Sequence, residues 1–208
     1  FDRDQILAFA KSLPAPDQRK VDVPVPAWGT RPELDIPMPG RNQAHLMLIF
    51  KTAPDTSPDT PALDLLETSL GGMGGPLFRD LRDKQGLGYT VTAFNRQTSE
   101  NGYMVFYIGT EPGKMAQAEE GFKRIINDLH QNLLSEEDVN RGKNQLEGDY
   151  YRNMQSLGSR SGEAAALTME GYPLSFTKDQ IEKSKNVTPE QLREIVKKYL
   201  NVDSAYTI

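Results

Sequence analysis

GGMGGPLFRDLRDKQGLGYTV, residues 71–91, packs a helix, a turn and a strand into one short run. Pro76 suits the first position of a helix, where its missing N–H costs nothing, and Gly86 suits a left-handed stop after Gln85. Leu77, Phe78 and Leu81 fall at helical spacing and give this short helix one apolar side. Arg79, Arg82 and Asp83 are then left for solvent or a ligand, with Arg82 one turn before the helix ends. After Gly86 the pattern changes to period two. Leu87, Tyr89, Val91 and Ala93 share one face, and Gly88, Thr90, Thr92 and Phe94 the other, as in a strand. Helix, glycine turn and strand together predict that the Arg82 guanidinium and the Tyr89 phenol meet at one end of a sheet.

Upstream, residues 2–13 carry Ile6, Leu7, Phe9, Ala10 and Leu13 at helical spacing until Pro14 and Pro16 end the pattern. Val21, Val23 and Val25 alternate as an edge strand before a loop containing Pro32, Pro37 and Pro39. Residues 44–51 are apolar on both faces, the mark of a strand well inside a sheet. Thr60 as N-cap and Pro61 in the first turn predict a helix through Leu63, Leu66 and Leu70, closed by Gly71. Downstream, residues 103–108 read as a strand in a hairpin with the one from Leu87, turning near residues 100–102. Pro112 opens a long helix whose stripe runs from Met115 through Ala118, Phe122, Ile125, Ile126 and Leu129 to Leu133. Ser135 with Asp138, and Thr188 with Gln191, form capping boxes for two further helices, and the alanine-rich residues 162–169 form another between them. Residues 205–208 return as a short strand. Strands near both ends with helices grouped between them give an α+β class with a largely antiparallel sheet.

The chain has 208 residues, 37% of them hydrophobic, enough for one substantial core. A net charge of -5 argues against phosphate backbones or anionic lipid as partners, so no nucleic acid is expected. No cysteine is present, which removes disulfides and thiolate chemistry and leaves the compartment unknown, cytoplasmic or periplasmic. No apolar run approaches the roughly 18 to 20 residues of a membrane span, so a soluble protein is expected. A first residue of Phe without a signal-peptide pattern predicts a cut from a longer chain.

The run LFRDLRDKQGLGYTV resembles the signature of pitrilysin/insulinase-type zinc peptidases, the inverzincins, in their C-terminal half. The resemblance implies one half of a clamshell of two similar α+β halves. In such enzymes the first half carries the zinc motif H-x-x-E-H and the second carries an arginine–tyrosine pair, which here falls on Arg82 and Tyr89. Residues 1–16 would be a linker helix from a preceding half, and 17–208 a single inactive peptidase-like domain. Gly74, Gly75 and Pro76 stand where many relatives have small polar residues and an arginine.

A helical zinc site needs two histidines on one face with a glutamate beside them to activate water. His45 and His130 are the chain's two histidines, each alone: His45 in a buried-looking strand and His130 on the exposed side of a helix. Both read as structural. The helix of residues 61–70, the counterpart of a zinc-bearing helix by order, has Glu67 but no histidine. No cofactor is therefore expected in this fragment, and zinc is expected in the partner half. Without the resemblance, Arg82 would be a solvated charge and Tyr89 core with its hydroxyl at the rim. With it, both are candidate donors to peptide substrate and transition state, where hydrolysis develops an oxyanion. Glycines at 71, 72, 74 and 75 lack a following Lys-Ser or Lys-Thr and a preceding strand, so a phosphate loop is not supported. Glu111, Glu119, Glu120, Glu136 and Glu137 read as solvated helix faces and first-turn acids. The expected function is the non-catalytic C-terminal domain of a zinc metalloendopeptidase, completing its substrate cavity and inactive alone. Its partners would be peptide substrate and a catalytic half, on the same or a separate chain. A structural or assembly subunit of the same fold, and a free-standing peptide-binding module, are the alternatives.

Overall fold

The apolar run expected inside a sheet forms strand β1, Ala44–Thr52, and it does lie inside one. The structure, a computed structural model, describes residues 2–14, 24, 27–29 and 33–208. Strands β2 (Gly88–Gln97), β3 (Gly102–Thr110) and β4 (Tyr206–Thr207) complete an antiparallel sheet in the order β2-β3-β1-β4. Leu48 lies opposite Phe106 on one side and Thr207 on the other. The strand expected at Val21, Val23 and Val25 lies outside the described residues.

One face of the sheet carries Leu46, Leu48, Phe50, Val91, Ala93, Met104, Phe106 and Ile108, all buried. Helices α2 (Thr60–Leu70), α3 (Met115–Gln131) and α7 (Pro189–Tyr199) supply the other half of the core. Phe106 stacks edge-on against Phe50 and Phe122, with ring centroids 5.6 and 5.9 Å apart. Losing a ring of this kind costs about 3–5 kcal/mol, so α3 is pinned at Phe122. Helix α4 (Glu136–Asn153) packs on α2, while α5 (Leu157–Glu170) and α6 (Phe176–Lys185) extend the helical layer. The capping box of Thr188 and Gln191 is present at α7 with both of its bonds.

Several local expectations are corrected. Thr60 is not the N-cap of α2; Asp59 holds that position without a side-chain capping bond, and the Thr60 hydroxyl donates to the carbonyls of Pro54 and Asp55 at 3.2 Å. The hydroxyl ties down the preceding loop instead. Leu133 lies past the end of α3 and is exposed, because Asn132 has already turned extended. Helix α6 had no reading in the sequence; its FTKDQIEKSK is polar apart from Phe176 and Ile181. The leading helix, α1 (Arg3–Ser12), is capped by Asp2, whose carboxylate accepts from the N–H groups of Asp4 and Gln5 at 2.9 and 3.3 Å. None of its residues is buried.

Candidate functional site

The helix between Pro76 and Gly86 winds wider than an α-helix. Phe78–Lys84 is a π-helix, in which the Gln85 N–H reaches the Asp80 carbonyl at 3.2 Å. Leu77 and Leu81 fix it in the core with no exposure at all. Gly86 then takes φ +62, which lets the Leu87 N–H return to the Leu81 carbonyl at 2.8 Å and starts β2 close to the helix it has just left.

At the start of β2 the pairing slips. Gly88 lies opposite Thr110 and Thr90 opposite Gly109, so Tyr89 is an extra residue in a β-bulge. Strict alternation would have placed Tyr89 on the buried face with Leu87, Val91 and Ala93. The bulge breaks that alternation, and Tyr89 is 79% exposed while the other three are buried. Arg82 lies over it, its guanidinium carbon 4.6 Å from the Tyr89 ring centroid and 4.4 Å from that of Phe78. Phe78 therefore forms one side of an aromatic clamp on Arg82 and is only half-buried. Arg82 forms no ion pair among the described residues, so its N–H groups are open to an acceptor.

Arg79, expected to face solvent or a ligand, is engaged. It donates to both oxygens of Asp138 on α4, at 2.8 and 2.9 Å, and to the Gly74 carbonyl. Asp138 also accepts from Arg141 and, at 2.8 Å, from the Ser135 hydroxyl. Burial alone would push the Asp138 carboxyl up, but these three donors outweigh it and hold the group well below the usual carboxylate range. Asp80 is likewise held low, by the Arg124 guanidinium at 2.9 Å against partial burial. The π-helix is thus bolted to α3 and α4, leaving Arg82 and Tyr89 as its open end.

The histidines are not where the sequence suggested. His45 is exposed on β1, its Nδ1 2.7 Å from the Tyr107 hydroxyl. His130 is half-buried, and its Nε2 donates to the Leu200 carbonyl at 2.9 Å, closing the end of α7. Glu67 has a different setting, with Asp64 one turn before it. The Glu67 carboxylate accepts the Asn95 backbone N–H at 2.8 Å, and Asp64 accepts from the Asn95 side-chain amide at 3.2 Å. Burial pushes Asp64 up to about 6 and Glu67 up to about 7. The sequence held a signal for this pair: two carboxylates three apart within the otherwise leucine-rich TPALDLLETSL. Among the described residues no group of three or more His, Cys, Asp or Glu side chains is placed to hold a metal. A zinc ion does not fit the described residues.

A family model described as "Peptidase M16 inactive domain" matches residues 2–146. The chain belongs to that family. Similar proteins agree with it: an uncharacterized zinc protease of Streptomyces coelicolor is 23% identical over 159 residues, 76% of this chain and 35% of the relative. A protease from Helicobacter pylori has the same fold, with a TM-score of 0.84 at 18% identity over 100% of this chain and 52% of that one. A peptidase M16 inactive domain from Pseudomonas fluorescens gives 0.75 at 24%, over 100% and 50%. The chain spans about a third of the Streptomyces relative and about half of each solved chain. For this M16 inactive domain, no helix among the described residues is long and apolar enough to cross a membrane.

Proposed function

We propose that this domain completes the substrate cavity of a zinc metalloendopeptidase, and that Arg82 and Tyr89 are its contribution to binding peptide and stabilising the transition state. One observation carries the reading: an exposed tyrosine hydroxyl and an arginine without an ion-pair partner among the described residues are held together by a bulge and an aromatic clamp. A peptide carbonyl under attack by water gathers negative charge on its oxygen. A phenol O–H and a planar guanidinium are donors suited to that charge, and neither has to titrate to act. Zinc, which would polarise the carbonyl and activate the water, belongs in this reading to a partner half bearing the H-x-x-E-H motif.

Residues 1–16 serve here as the link from that half, and 17–208 as one domain. Ile6, Phe9 and Leu13 of the α1 segment are 50%, 65% and 54% exposed, an apolar side that a neighbouring body would cover. The test is peptide hydrolysis by the complete protein beside its Tyr89→Phe variant. A loss on the order of a hundredfold at unchanged folding supports the role, by comparison with removal of one oxyanion donor elsewhere. A variant as active as its parent removes the Tyr89 hydroxyl from the site. A parent that cleaves nothing, with zinc bound in the other half, favours an assembly subunit.

A further inference from the structure

A cleft of about 510 Å³ opens between α2, the end of β2, α4, α5 and α6. It lies at the opposite end of β2 from Tyr89, and its chemistry is independent of the Arg82–Tyr89 reading. Its walls are apolar, from Leu146, Tyr150, Met154, Phe176 and Ile181. Its charged groups are mostly acidic, with Asp55, Asp64, Asp149 and Glu163 against Arg96. Asp149 has an ion-pair partner in Arg152, and Asp55 accepts the Tyr172 hydroxyl at 2.7 Å. Asp64 and Glu163 form no ion pair among the described residues, and Glu67, just behind Asp64, feels the Arg96 charge without forming one. Among the described residues Arg96 is the only cation lining the cleft, and it donates to the Asn95 carbonyl at 2.7 Å. A second observation is independent of these carboxylates. Gln180 also lines the cleft; its side-chain Oε1 is fully buried and accepts nothing among the described residues. A buried acceptor left without a donor is unfavourable by about 1–3 kcal/mol unless a guest supplies one.

We propose that this cleft binds the side chain of an arginine or lysine carried on a polypeptide. The aliphatic stem lies along the apolar walls, the cationic head meets Asp64 and Glu163, and the Gln180 amide turns toward it to gain a donor. A bare metal ion is a poorer guest, since no three carboxylates among the described residues converge and the space is far larger than an ion needs. Long basic side chains suit such a site because they bury a stem and present a multi-donor head. Burial raises Asp64 and Glu67, and at Glu67 the nearby Arg96 charge offsets this only in part. Asp55, Asp149, Glu163 and Arg96 are the other charged groups that face the cleft. Supplying a cation lowers both raised carboxyls, so binding releases protons between about pH 6 and 7.

The test uses the complete protein and two acetylated, amidated peptides, one with a single arginine and one with neutral citrulline in its place. Calorimetry at pH 8 is expected to show the arginine peptide at least tenfold tighter, with Asp64→Asn removing most of the difference. Near pH 6.5 the heat should change with buffer ionisation enthalpy as protons are released. Glu163→Gln, on the far wall, gives the same loss of preference if Asp64→Asn does not fold. Equal affinity for the two peptides, an arginine preference untouched by both variants, or no binding at millimolar peptide overturns the proposal.

Discussion

Arg79 and Asp138, 59 residues apart in sequence, meet through two parallel hydrogen bonds of 2.8 and 2.9 Å. Asp138 is 6% exposed at its side chain, so its charge sits largely out of water and depends on Arg79, Arg141 and Ser135 for its solvation. Asp138→Asn leaves two arginines facing a neutral amide, and the expected loss is about 2–4 kcal/mol, or roughly 5–15 °C in Tm for a domain of this size. Because the folded carboxyl titrates below its ordinary value of 3.8, its stabilisation is present above about pH 4 and is lost as pH falls. Thermal melts at pH 7 and pH 3 of parent and variant check this: the gap between them should narrow in acid.

Asp64 and Glu67 have the opposite sign. Their folded values, about 6 and about 7, lie above the ordinary 3.8 and 4.5, so the folded domain holds protons that the unfolded chain releases. That stability is fully present below about pH 4 and is lost as pH rises through 6 and 7. Asp64→Asn or Glu67→Gln is expected to stabilise the domain by about 1–2 kcal/mol at pH 8 and by much less at pH 4.5. A variant that melts lower than its parent at pH 8 would show that the carboxylate, once ionised, is held by something other than Asn95.

Gly142 and Gly148 lie on the same helix, α4, and should respond in opposite ways. A Cβ at Gly142 would lie 2.3 Å from the Ser69 hydroxyl and 2.9 Å from the Ser69 backbone nitrogen, where α2 and α4 touch. Gly142→Ala therefore forces two helices apart, and the net loss is about 1–2 kcal/mol despite better helix propensity. Nothing lies within 4 Å of a Cβ at Gly148, so Gly148→Ala gains about 0.5–1 kcal/mol. Urea unfolding of both variants checks the pair, and equal shifts of one sign would contradict the close approach.

Local periodicity made β1, β3, α3 and α7 legible, because a buried strand and an amphipathic helix each leave a repeating apolar pattern. Arg82 and Tyr89 were legible as neighbours because a helix, a left-handed glycine and a strand place them within one short loop. The exposure of Tyr89 was not. A bulge depends on how β2 registers against β3, where the partners of Gly88 and Thr90 are Thr110 and Gly109 across the hairpin, and alternation within β2 alone points the wrong way. Arg79 misled for a related reason: its partner lies on α4, and long-range ion pairs leave no local pattern. His130 bonds the Leu200 carbonyl across 70 residues and was beyond reach for the same cause.

The clamp on Arg82 separates what the Tyr89 ring does from what its hydroxyl does. The ring holds the guanidinium at 4.6 Å, and Phe78 holds its other side at 4.4 Å. Tyr89→Phe keeps the ring and removes a solvent-facing O–H, so stability should stay within about 0.5 kcal/mol of the parent. Tyr89→Ala removes the ring as well and frees Arg82, with a loss of about 0.5–1 kcal/mol that Arg82→Ala should largely abolish in a double-mutant cycle. Peptide hydrolysis by the complete protein divides differently. Phe and Ala at position 89 should be impaired alike, on the order of a hundredfold, if the hydroxyl is what meets the substrate. Full activity in Tyr89→Phe with loss in Tyr89→Ala would instead assign the tyrosine to holding Arg82, and the arginine alone to the peptide.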